Sequence, residues 1–163
     1  MRSLAIMPLL SLALAMPLWA HGASDPTSFA AAADVQALVT QMSKDMRRGQ
    51  IFSWKPLVRA GTWVAAVEIW RGAGKPAVHP AQAEYVVVVA GKGSMVSGGT
   101  LVDSKMTNPN LVEGSRIEGG TTRTLAPGDV FLVPAGVPHW FDVPAGGSLA
   151  LLGTKLPNPA PAQ

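Results

Sequence analysis

His79, Glu84 and His139 are the residues of this chain whose types and spacing suit chemistry. They lie in "AVHPAQAEYVVVVAGKG" (Ala77–Gly93) and "GDVFLVPAGVPHWF" (Gly128–Phe141). The chain has only three histidines, and two of them are here. Both nitrogens of a buried imidazole need partners. Val137, His139, Phe141 and Val143 share one strand face, so His139 stands on an apolar surface. A metal ion or a hydrogen-bonding neighbour satisfies such a ring. His79 alone reads as a loop residue. Whether Glu84, five positions on, and His139, behind the Pro134–Gly136 turn, make it a ligand instead stays open on spacing alone. Two imidazoles and one carboxylate leave open positions on Fe(II), and they also suit zinc with water. Gln82 offers an amide oxygen between the two candidates. Glu68, mid-strand in "WVAAVEIW", either lines a barrel as an acid or base or faces solvent. Phe141 is a candidate pocket wall. Tyr85 and Trp140 alternate away from their ligand neighbours and read as packing residues.

The elements that must hold these groups are short. β-rich runs separated by Gly and Pro cover Ile51–Val58, Thr62–Arg71, Glu84–Ala90, Ser94–Val102, Thr121–Leu125, Asp129–Val133, His139–Val143 and Ser148–Thr154. Short strands punctuated this way predict an all-β sandwich or barrel. Val86–Val89 does not alternate, which predicts a strand covered on both faces, by a helix or by a second subunit. Before the strands, Val35, Leu38, Val39, Met42 and Met46 form one stripe at helical spacing. They predict an amphipathic helix over 34–48, with Asp34 as N-cap and Gly49 closing it. The stretch 98–120 reads as a long loop, either a flap beside the barrel mouth or a solvated excursion.

The two stretches together resemble the cupin superfamily. Its second motif is Gly, five residues, Pro-x-Gly, two residues and His, which Gly128, Pro134, Gly136 and His139 match. Its first motif is matched by His79, Glu84 and Gly91 in the germin-like version. Ala77 stands where that motif has its first histidine, and alanine cannot bind a metal. The resemblance runs from about Thr62 to Thr154. It implies a double-stranded β-helix (a cupin jelly-roll barrel) preceded by the helix. It further implies one divalent metal (Fe, Mn, Zn or Ni) on His79, Glu84 and His139, with a small-molecule ligand in the barrel and a lean towards a homodimer. The implied activities span metal-dependent oxygenases, isomerases and lyases. A metal-free binding or sensing cupin is the alternative reading, and a structural cupin that assembles through its sheet face is a third. No catalytic residue follows from the motifs.

Composition narrows the remaining classes. The 163 residues suggest one domain. "MRSLAIMPLLSLALAMPLWA" has one arginine, an apolar stretch and small residues, the layout of a secretory signal peptide over 1–20. Its apolar part is shorter than the roughly 20 residues a spanning helix needs. The expected location is therefore periplasmic or secreted, with no membrane contact after cleavage. The absence of cysteine excludes disulfides, thiol catalysis and Cys-ligated metals. A net charge of +3 without a basic stripe argues against nucleic acid. The expected organisation is a segment 21–50 carrying the helix, a barrel over 51–154 and a disordered tail over 155–163.

Overall fold

The computed structural model describes residues 25–157. The signal peptide expected over 1–20 and the part of the expected tail from residue 158 lie outside the described residues. Helix α1 spans Ala32–Asp45, starting two residues before the expected 34 and ending before 48. Its N-cap is Ala31, not Asp34. Asp34 sits one turn inside, where its carboxylate accepts the Ala31 N–H at 2.8 Å. The acidic signal was therefore real, but its partner lies three residues upstream. Gly49, with φ +82°, belongs to the turn beyond the helix, where the Gln50 N–H reaches the Arg47 carbonyl at 3.1 Å.

The strands are β1 (Phe52–Ala60), β2 (Trp63–Trp70), β3 (Ala77–Val78), β4 (Gln82–Gly91), β5 (Gly93–Ser97), β6 (Thr100–Val102), β7 (Lys105–Asn108), β8 (Leu111–Glu113), β9 (Arg116–Glu118), β10 (Thr121–Leu125), β11 (Val130–Val133), β12 (His139–Asp142) and β13 (Leu149–Pro157). A five-stranded sheet in the order β1-β2-β13-β4-β11 faces a six-stranded sheet in the order β10-β5-β12-β3-β8-β7. Together they form an all-β jelly-roll barrel. Apart from β1–β2 and β7–β8, neighbours within each sheet are not consecutive in the chain, so the chain crosses repeatedly between the sheets.

Two apolar layers follow from the period-2 alternation. Inside the barrel, Val86, Val88, Leu149 and Leu151 meet Met95, Phe141 and Val143. Outside, Val67, Ile69 and Ala150 meet Met42 of α1 and Met46 just beyond its end. Burying each large side chain contributes about 1.5–3 kcal/mol. The doubly covered valine strand follows from both layers. Val86 and Val88 face in, while Val89 packs towards the helix cluster. Beyond the reach of α1, Tyr85 on the outer face is 42% exposed, so it does not pack as expected.

Two boundaries need correction. Segment 98–120 is not a loop, because β6–β9 pair as hairpins and β8 joins the main sheet beside β3. The tail does not begin at 155. Strand β13 continues to Pro157, with Lys155 opposite Glu84 and Pro157 opposite Gln82.

Candidate metal centre

His79, Glu84 and His139 come from three places in the barrel and meet at one point. Their nearest ligand atoms lie within 4.8 Å of one another. Glu84 is an inner-face residue of β4, in step with buried Val86 and Val88. His139 opens β12, directly after the Pro134–Gly136 turn. His79 follows the two-residue strand β3. Ala77 on β3 is the cross-strand partner of His139 and lines the same cavity as His79.

The turn chemistry of the second motif also secures the first. Gly136 has φ +79°, a conformation that a Cβ disfavours. Its N–H donates to the His79 carbonyl at 2.9 Å. One turn thus positions His139 through the chain and His79 through a hydrogen bond. Gly91 closes β4 at φ +78°, and in addition a Cβ there would run into the Ser148 carbonyl.

Both rings are oriented by backbone. His79 donates Nδ1–H to the Asn110 carbonyl at 2.9 Å, and His139 donates Nδ1–H to the Val137 carbonyl at 3.1 Å. A carbonyl only accepts, so each Nδ1 carries hydrogen and each Nε2 is turned towards the centre. Metal-binding histidines are held in this way. Glu84 Oε2 lies 3.1 Å from His139 Nε2 and 3.8 Å from His79 Nε2. It is buried and accepts no well-aligned hydrogen bond from the described residues. Unprotonated acceptors this close repel, so a proton or a cation must lie between them. The donor set fits a divalent ion: two neutral nitrogens and one anionic oxygen, with their other partners already satisfied.

The local charges agree. Burial alone would raise the Glu84 pKa. The closeness of His139 and the charge of Lys155 outweigh it and hold the carboxyl down at about 2. Burial, then the Lys155 charge, lowers His79 and keeps its ring neutral. Lys155 is the residue that sequence reasoning missed. Its Nζ stands 2.6 Å from Glu84 Oε2 and 2.8 Å from His79 Nε2. The contact with Glu84 is a close ion pair, not an aligned hydrogen bond.

Glu68 faces the interior, which settles its two readings in favour of the barrel. It borders two cavities, of about 420 Å³ and about 330 Å³, that meet at Glu68, Glu84 and Lys155. Burial, then the negative charge of Glu84, raises its pKa to about 7. Trp70 Nε1–H donates to it at 3.3 Å. Phe141 lines the larger cavity together with Phe52 and Trp70, whose rings are 4.4 Å apart. Gln82 lines the smaller cavity, on the other side of Glu84. Trp140 borders the larger one and donates its indole N–H to the Gly74 carbonyl at 2.9 Å.

The Cupin family model matches residues 53–160. The chain belongs to the cupin family. Among solved structures, this cupin is similar to a hydroquinone 1,2-dioxygenase in complex with Cd2+ and 4-hydroxybenzonitrile. The identity there is 14%, over 74% of this chain and 72% of that one, with a TM-score of 0.55. It is also similar to a cupin-2 domain from Rhodospirillum rubrum, at 17% identity over 70% and 64% of the two chains and a TM-score of 0.49. These likenesses concern the fold. A comparison with curated protein sequences found no significant match. No helix among the described residues of this cupin is long and apolar enough to cross a membrane.

Proposed function

We propose that this cupin holds one divalent metal ion (Fe, Mn, Zn or Ni) through His79 Nε2, Glu84 Oε2 and His139 Nε2, and binds a small organic molecule in the adjoining 420 Å³ cavity. One observation carries the reading. Both Nδ1–H groups are committed to backbone carbonyls, and a buried carboxylate oxygen without an aligned partner lies within 4 Å of both Nε2 atoms. The dioxygenase neighbour, with its Cd2+ and 4-hydroxybenzonitrile, supports a metal beside a small ligand. Bound there, the metal supplies Lewis acidity or, if it is iron, access to oxygen chemistry. Phe52, Trp70 and Phe141 give the ligand an apolar, aromatic wall. The Glu68 carboxyl, poised near neutrality, holds or releases a proton where the two cavities meet. Fold alone does not choose among oxygenase, isomerase and lyase.

A second reading has its own support. The Lys155 ammonium already supplies a cation to Glu84 and His79, which suits a metal-free binding or sensing cupin. Elemental analysis of protein purified without chelators separates the two. The metal reading expects about one equivalent per chain, and under about a tenth in the His79→Ala/His139→Ala double variant. Equally little metal in both would overturn it.

We further propose export to the periplasm or outside the cell, which rests on the apolar stretch within residues 1–20. Mass spectrometry of the mature N-terminus tests it, and an intact Met1 in purified native protein would contradict it. A homodimer through the outer sheet face is proposed from Val130 and Leu132, 58% and 56% exposed beside Tyr85 at the sheet edge.

A further inference from the structure

We propose that the Lys155 ammonium is a tethered cation that competes with the metal ion for Glu84 and His79, so that this side chain sets how tightly the site holds metal. The inference rests on the metal reading above. Lys155 Nζ is 2.6 Å from Glu84 Oε2 and 2.8 Å from His79 Nε2, and these are two of the three atoms that would bind the ion. Zinc sits about 2.0–2.2 Å from nitrogen and oxygen ligands. An ammonium in contact with both donors therefore stands in the space the ion needs. It offers three N–H donors and no lone pair, so it cannot join the ligand set while charged. It also repels a second cation at this range.

The placement is built into the sheet. Lys155 is the cross-strand partner of Glu84 in the β13–β4 pair, and Gly153 is the partner of Val86 on the same inner row. The lysine stem thus rises beside the carboxylate with no side chain from Gly153 in its way. The ammonium also has somewhere to go. Its side chain is 33% exposed and borders both cavities, so rotation about the flexible stem releases it into either one without moving the backbone. Metal entry then exchanges one cation for another at Glu84. A lysine that only neutralised Glu84 would instead stay where it is when metal binds.

Two measurements decide. Metal-stripped wild type and Lys155→Met are titrated with Zn2+ by calorimetry. In parallel, wild type is acetylated with a water-soluble amine reagent, with and without Zn2+, and peptide mass spectrometry reads each lysine. The expected results are at least tenfold tighter Zn2+ in the variant, and several-fold more acetylation of Lys155 with Zn2+ present, with Lys44 and Lys92 unchanged. Zn2+ binding by the variant alone would support the competition equally. Zn2+ no tighter in the variant, or Lys155 labelling unchanged while wild type binds Zn2+, overturns the inference and leaves the metal reading intact. Zn2+ binding by neither protein removes both. If Lys155→Met does not fold, the labelling of wild type decides alone.

Discussion

Replacing Glu68 by glutamine should make this cupin more stable in a pH-dependent way. Glu68 has its carboxyl raised from 4.5 to about 7, first by burial and then by Glu84. Below pH 4.5 the carboxyl is protonated in both folded and unfolded chains and has no effect on the balance. Between pH 4.5 and 7 the unfolded chain ionises freely while the folded chain resists. Stability is therefore lost as pH rises through this window, and the full penalty is present above pH 7. At 1.36 kcal/mol per pKa unit the penalty is about 3 kcal/mol, an upper bound because cavity water reaches the carboxyl. Glutamine keeps an oxygen for the Trp70 indole N–H and never ionises. Urea unfolding followed by tryptophan fluorescence, with chelator present and from pH 4 to 8, measures the difference. The two proteins should agree near pH 4 and diverge by up to about 3 kcal/mol at pH 8, the variant being the more stable. A pH-independent difference, or a less stable variant at pH 8, would refute the burial argument.

Other expectations follow from single residues. Ala77→His places a third imidazole opposite His139, on the wall that His79 shares. Calorimetry should show at least about tenfold tighter Zn2+, and unchanged affinity in a folded variant would contradict the register. Met42 is fully buried between α1 and the outer sheet face, so Met42→Ala should cost about 2–5 kcal/mol in denaturant unfolding. A loss below about 1 kcal/mol would mean the helix contributes little to the fold. For the homodimer, light scattering should give twice the chain mass, and Leu132→Asp should return a monomer; a monomeric wild type at micromolar concentration would remove that proposal.

The motif residues were legible because their roles are fixed by turn chemistry. A Pro-x-Gly turn with Gly136 at positive φ leaves few directions for His139, and apolar alternation assigns the inner face of β4 to Glu84. The helix was legible from its stripe, yet its start was misplaced because the Asp34 carboxylate reaches back to Ala31. Lys155 was not legible. It sits at the entrance to a proline-rich stretch, and only pairing with a strand some seventy residues earlier puts it beside Glu84. Asn110 was hidden for a related reason. It acts through its carbonyl, which carries no sequence signature, from a hairpin whose strands are too short to show alternation.

The central claim is that His79 and His139 present Nε2 to one shared ion while their Nδ1–H groups stay on backbone carbonyls. Long-range 1H–15N correlation spectra of the imidazoles, recorded during a Zn2+ titration, test it most directly. Both rings should start with hydrogen on Nδ1, and both Nε2 signals should shift together and saturate at about one equivalent of Zn2+. Ring nitrogens that ignore Zn2+, or metal arriving at Nδ1 of either ring, would contradict the account.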